Sequence, residues 1–243
     1  MHIFITGGTR GIGRGLVKEF LKKGHNVSFT GTSETGVQKA LSDLSGNFLG
    51  LICDVRNKTD VVDAAEKAVK QFRRIDIWIN NAGVNQDNLF FKELSEENIK
   101  KVIDTNVTGM MLGTSVALNL MQKQGFGKIY NMEGLGSNNM MIPKTIVYGS
   151  SKRLLTFFSQ ACNKELKRYK NIFVGTLSPG MVYTDFIKHN IDEEDSKITK
   201  ILANEVEEVT PYLVKKMLQG KQNIQWLKGY KIVWRFMTSW LKK

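Results

Sequence analysis

Tyr148 and Lys152 stand four residues apart in the segment Tyr148-Gly-Ser-Ser-Lys152. On a helix that spacing puts both on one face, close enough for an ammonium to act on a phenol. An unperturbed phenol is too weak an acid to trade protons readily near neutrality, and a neighbouring cation should lower its pKa toward the working range. The two residues therefore read as a proton-transfer pair. A second chemical feature opens the chain: Thr6-Gly7-Gly8-Thr9-Arg10-Gly11-Ile12-Gly13. Glycines at 7, 11 and 13 permit a tight turn and close backbone approach. A helix beginning behind them offers free N–H groups and a positive dipole end to a pyrophosphate.

Such groups act only if a scaffold aims them. Short apolar, β-branched runs predict strands near His2–Thr6, Asn26–Thr30, Phe48–Cys53, Ile75–Ile79, Lys128–Asn131 and Ile172–Thr176. Nearly continuous apolar runs are those of strands buried on both faces, as in a parallel sheet. Leu16, Val17, Phe20 and Leu21 fall at helical spacing, as do Val61, Ala65, Ala68, Val69 and Phe72. The stretches Ser95–Gln124 and Ser150–Tyr169 read as two further crossover helices. Alternating strands and helices predict an α/β chain, a doubly wound (Rossmann) parallel sheet with helices on both faces. No linker or repeat divides it, so one domain is expected over 1–243. Its cofactor and catalytic core would span 1–185, with a lid and a basic, aromatic C-terminal segment over 186–243. The glycine loop then lies where a first strand passes into a first helix, which is the context a dinucleotide loop requires.

With the spacing TGxxxGxG, the sequence resembles the short-chain dehydrogenase/reductase family. The resemblance continues in order through Asp54-Val55, Asn80-Asn81-Ala82-Gly83, Asn106, Tyr148-Gly-Ser-Ser-Lys152 and Pro179-Gly180, across roughly the first 185 residues. It implies an enzyme that interconverts a carbonyl and an alcohol. Tyr148 would protonate the nascent alkoxide while hydride leaves a nicotinamide, and Lys152 would also hold the nicotinamide ribose. Asn106 would sit at a helix kink and serve a water relay to Lys152. Asp54 and Val55 would flank the adenine, Asn81, Ala82 and Gly83 the ribose side. Val182 and Thr184 would meet the carboxamide, and Thr184 is also suited to cap a following helix.

The family usually carries a carbonyl-polarising Ser in an Asn-Ile-Ser-Ser segment. Here the corresponding residues are Asn131-Met132-Glu133-Gly134-Leu135-Gly136-Ser137. Gly134 occupies nearly the usual place and Ser137 is the nearest hydroxyl. If the glycines let the loop bend inward, Ser137 could stabilise the developing alkoxide. The alternative is that Ser137 closes a polar turn and Asn138 or a backbone N–H does the polarising.

The residue that would select NAD by accepting from the ribose 2′-hydroxyl is expected after the second strand, at Thr30-Gly31-Thr32-Ser33-Glu34. No Asp is there. Thr32 and Ser33 offer hydroxyl donors, and Arg10 can pair with a 2′-phosphate, so NADP(H) is the expected cofactor. Glu34 is read as an outward loop side chain.

The substrate is less legible. The Asn131–Ser137 segment, with Tyr148–Lys152 and Ser178–Asp185, resembles the chlorophyll(ide) b reductase branch and its bacterial relatives, although that branch reads Asp where Glu133 stands. A 3-oxoacyl carrier-protein reductase is the second reading, suggested by Gly31-Thr32-Ser33-Glu34 and by the basic balance of 35 Lys and Arg against 23 Asp and Glu. A non-catalytic NADP(H)-binding sensor or scaffold is conceivable from the missing Ser, but retention of Tyr148 and Lys152 argues against it. From Tyr212 to Lys243 the chain carries Lys and Arg with no Asp or Glu, and Trp226, Tyr230, Trp234 and Trp240 are interleaved. That composition suits an interfacial segment on anionic membrane, or equally a helix packed on a partner subunit of a homodimer or homotetramer. Nothing beyond charge supports nucleic acid. Cys53 and Cys162 have no metal-ligand spacing, so no metal is expected. The opening residues lack the basic and long apolar regions of a signal peptide. The expectation is a cytoplasmic protein, peripheral to the inner membrane face if the tail binds it.

Overall fold

The computed structural model describes residues 1–184, 201–227 and 229–239. The elements run β1 (His2–Ile5), α1 (Gly11–Lys22), β2 (Asn26–Gly31), α2 (Glu34–Leu41), β3 (Phe48–Ile52), α3 (Lys58–Phe72), β4 (Ile77–Asn80), α4 (Glu96–Ile103), α5 (Met110–Gln124), β5 (Gly127–Met132), α6 (Ile146–Glu165), β6 (Ile172–Ser178), α7 (Val206–Leu218), β7 (Asn223–Gln225) and α8 (Gly229–Ser239). All seven strands pair in parallel, in the order β3-β2-β1-β4-β5-β6-β7. This is the expected doubly wound sheet. Its order reverses beside β1, so the ends of β1 and β4 open a crevice at the switch point where such folds take their ligands.

Alternation along the strands builds two cores. Ile3, Ile5, Ile77 and Ile79 face α1 and α7, meeting Leu16, Phe20, Leu213 and Met217. Phe4 and Trp78 face the other way, stacked at 4.1 Å between ring centroids, and meet Ala65, Ala68 and Met121 of α3 and α5. Helix starts follow local chemistry: Ser33, Asn57 and Ser95 cap α2, α3 and α4 by accepting from the backbone N–H of Gly36, Thr59 and Asn98.

Three elements differ from expectation. The helix expected over Ser95–Gln124 is interrupted by a π-helical turn at Asp104–Gly109, where Asn106 is turned inward. Such widened turns occur mostly at functional sites. The helix expected from Ser150 starts at Ile146, a full turn earlier. Strand β7 gave no periodic signal, because only Ile224 of its three residues is buried. Of the segment expected to hold a lid, residues 186–200 lie outside the described ones.

Candidate active site

At the end of β1, Gly7 and Gly11 take φ of 65° and 55°, in the left-handed region that favours glycine. A β-carbon on Gly13 would stand 2.2 Å from the Gly7 carbonyl oxygen, so the loop can fold over the start of α1 only with glycine there. The loop is bolted to the end of β4. Asn81 Nδ2 donates to the carbonyls of Thr6 and Gly7, at 2.9 Å each. The Thr6 hydroxyl oxygen accepts from the N–H of Asn81 and of Ala82, at 3.0 and 3.1 Å. Asn81 thus spends its amide on the glycine loop, a contact that sequence reasoning did not assign to it.

The remaining cofactor candidates surround this loop. Thr32 is exposed, Ser33 caps α2, and Glu34 is exposed in that helix's first turn. Arg10, exposed as well, holds the N-cap position of α1. Thr9 touches the same turn, since a β-carbon on Gly31 would meet its methyl at 2.5 Å. Asp54 is clasped by Arg56 at 2.6–3.0 Å, and that guanidinium holds its carboxyl below the ordinary range. Val55 is buried, and the backbone of Gly109 lies so close that a β-carbon there would approach Val55 Cγ2 to 2.7 Å. On the far side, Gly180 takes φ 73° after Pro179, Val182 is buried and bridges to Asn204, and Thr184 closes on Gly11. A β-carbon on Gly11 would meet the Thr184 methyl at 3.4 Å. The segment after β6 therefore comes over the glycine loop. A Thr184 cap on a following helix falls on residues outside the described ones.

Tyr148 and Lys152 lie one turn apart on α6, 8 % and 4 % exposed. Lys152 Nζ donates to the Met132 carbonyl at 3.0 Å and stands 5.7 Å from the centre of the Tyr148 ring. The expected lowering of the phenol pKa is corrected here. Burial pushes Tyr148 above its ordinary value, because desolvation penalises the phenolate. Burial brings Lys152 down to about 8, against the pull of the Glu133 carboxylate. Glu133 itself is pushed up by burial and pulled down by the hydroxyls of Thr156 and Thr176 and by the charges of Lys152 and Arg153. The Thr156 hydroxyl donates to it at 3.0 Å. Glu133 lines a pocket of about 660 Å³ bounded by α6, α7, β6 and β7. Its partial burial and its pull on Lys152 were not anticipated, although its departure from the usual segment was visible.

Asn106 is 1 % exposed, and the π turn aims it between two elements. Its Nδ2 donates to the Val84 carbonyl and the Ser151 hydroxyl, at 2.9 and 3.1 Å, and its Oδ1 accepts from the Val84 N–H at 2.8 Å. It thus ties the loop after β4 to α6. Gly83 lies in the same corner, where a β-carbon would stand 3.2 Å from Asn106 Oδ1 and 3.6 Å from Lys152 Nζ. The Ser137 hydroxyl donates to the Gly134 carbonyl at 2.6 Å, closing a turn, and Arg153 donates to the Ser137 carbonyl at 3.0 Å. Gly134 faces Tyr148 directly. Among the described residues no cluster of His, Cys, Asp and Glu could hold a metal ion, and no helix is long and apolar enough to cross a membrane.

The chain is 38 % identical over 223 residues to the rice (Oryza sativa subsp. japonica) chlorophyll(ide) b reductase NOL, chloroplastic, covering 88 % of this chain and 65 % of that protein. The chain thus spans slightly under two thirds of that relative's length. It is 35 % identical over 193 residues to a Bos taurus 3-oxoacyl-[acyl-carrier-protein] reductase, covering 78 % of each. The fold matches that of a Brucella melitensis 3-ketoacyl-(acyl-carrier-protein) reductase solved with NADH, with a TM-score of 0.85 at 20 % identity over 95 % of this chain and 98 % of that one. The short chain dehydrogenase family matches residues 1–195, and the chain belongs to that family of oxidoreductases.

Proposed function

We propose that the protein is an NADP(H)-dependent reductase of an apolar aldehyde or ketone, with Tyr148 as the acid. The observation that carries this reading is the buried pair on α6: a phenol that burial keeps protonated, one turn from an ammonium. Burial makes the phenol a weaker acid, but a developing alkoxide is a stronger base than phenolate, so the proton passes from Tyr148 to it. The cofactor, when bound, supplies the hydride to the carbonyl carbon. Tyr148 gives its proton to the carbonyl oxygen, and the Lys152 charge stabilises the phenolate left behind. The phenolate then takes a proton from Lys152, and Asn106 holds the corner in which Lys152 is reprotonated from solvent. Ser137 would serve as the polarising donor if its hydroxyl leaves the Gly134 carbonyl, and Asn138 or a backbone N–H if it does not.

The glycine cradle fits a dinucleotide. Gly11, Ile12 and Gly13, with Gly7 and Thr9, would take the pyrophosphate at the start of α1. Arg10, Thr32 and Ser33 would take a 2′-phosphate, Asp54 and Val55 the adenine, and Asn81, Ala82 and Gly83 the ribose side. Lys152 would hold the nicotinamide ribose, and Pro179, Gly180, Val182 and Thr184 the carboxamide end. The likeness to chlorophyll(ide) b reductases supports an apolar carbonyl substrate. The likeness to 3-oxoacyl carrier-protein reductases, with the formal charge of +12, supports the second reading, a thioester presented on an acidic carrier. We place the enzyme in the cytoplasm as a homodimer or homotetramer, with α8 either touching the inner membrane face or packed on a partner subunit.

Tyr148→Phe tests the reading. NADPH affinity should stay near that of the parent while turnover of any carbonyl falls by a hundredfold or more, on the order of a lost general acid. Undiminished turnover would refute the proton role.

A further inference from the structure

The start of α6 lacks the local cap that α2, α3 and α4 possess. Thr145 stands at its N-cap position without a side-chain bond to the helix, and its hydroxyl donates to Ile142 instead. The first N–H groups of a helix need acceptors, and leaving them buried without one is costly. Here they are met from far along the chain. Gln86, 3 % exposed in the loop after β4, accepts from the N–H of Val147 at 2.8 Å and of Tyr148 at 3.1 Å, both through its Oε1. That pair of bonds satisfies two of the first N–H groups of α6, one of them that of Tyr148 itself.

The loop that carries Gln86 is tied at two earlier points. Asn81 is bonded to Thr6 and Gly7, and the backbone of Val84 is bonded to Asn106, which in turn reaches Ser151 of α6. Residues 81–86 therefore form one strap running from the glycine loop to the first turn of α6. Nε2 of Gln86 is buried with no partner among the described residues. The amide carbonyl thus makes both of the contacts observed for this side chain.

We propose that Gln86 is a positioning residue: its carbonyl caps α6 from the loop after β4 and fixes Tyr148 relative to the cofactor cradle. The inference rests on the reading of Tyr148 as the acid. A displacement of about 1 Å at a reacting group can cost on the order of a hundredfold in rate, which is the scale on which a missing cap would show.

Gln86→Leu removes the acceptor at similar volume. It should lower kcat by roughly tenfold to a hundredfold, leave the dissociation constant for NADPH near the parent's, and speed amide hydrogen exchange at residues 146–149. Gln86→Glu keeps an acceptor oxygen at the N-terminus of the helix, where a carboxylate is favoured, and should restore most of kcat and the slow exchange. If Leu prevents folding, Gln86→Asn carries the same expectation as Gln86→Leu, because its shorter arm cannot reach both N–H groups. A kcat unchanged in Gln86→Leu, while Tyr148→Phe is inactive, overturns the proposal and leaves the role of Tyr148 standing. Activity in Tyr148→Phe would instead sink the role of Tyr148. If Gln86→Glu is as impaired as Gln86→Leu, capping is also overturned, because the amide N–H₂ rather than the carbonyl would then be the required group.

Discussion

The hydroxyl of Tyr148 occupies the space in which a side chain on Gly134 would begin: a β-carbon there would lie 2.3 Å from the phenol oxygen. The family's usual Ser near this place is therefore not merely absent. In this chain the position is reserved for the tyrosine. Placing a serine there with Gly134→Ser should push the phenol out of place and lower kcat by at least about tenfold, with NADPH binding kept. Steady-state rates and a cofactor titration check both parts. A kcat equal to the parent's would show that Tyr148 relocates without cost.

The pH dependence follows from Lys152. Burial sets its folded value near 8, below the ordinary lysine range. The ammonium is present below that pH and lost above it, so carbonyl reduction should fall as pH rises through about 8. Glu133 opposes the burial, so its neutralisation in Glu133→Gln lets the Lys152 value drop further. The alkaline limb should then move to lower pH, and an unmoved limb in a folded Glu133→Gln would show that the two charges are uncoupled.

Cofactor choice is expected to rest on the exposed turn at the end of β2. Thr32→Asp places a carboxylate where a 2′-phosphate would sit. It should weaken NADPH by roughly tenfold or more while sparing NADH, as expected for a like charge set against phosphate. The ratio of the two dissociation constants is the measurement. A constant ratio would mean that the phosphate is held elsewhere.

Helix α8 presents Trp234, Phe236 and Met237 to solvent, while Arg235 turns inward to the Leu202 carbonyl and the side chain of Asn204. Asn204 pairs with Val182, so the helix is clasped to the segment after β6. Replacing Trp234 and Met237 with Ser should abolish co-sedimentation with anionic vesicles and leave NADPH binding intact. If vesicle binding persists but the oligomer dissociates in gel filtration, the face is a subunit contact instead.

The sequence by itself determined the features that neighbouring residues encode. Apolar runs and helical spacing specify parallel strands and their crossovers, because burial on one or two faces is written in a period of a few residues. The glycine loop is legible because glycine is the residue best suited to the backbone angles of Gly7 and Gly11, and the spacing of Tyr148 and Lys152 is legible because one helical turn joins them. Tertiary structure alone decided the rest. The cap on α6 comes from Gln86, some 60 residues earlier. The Lys152 ammonium finds the Met132 carbonyl on a strand, 20 residues away, and burial then raises the phenol that adjacent charge had been expected to lower. Asn106 opens a π turn to reach Val84, and β7 joins the sheet on the strength of one buried isoleucine. Each of these depends on which groups become neighbours and lose water together, and desolvation is a property of the packed molecule that no local spacing records.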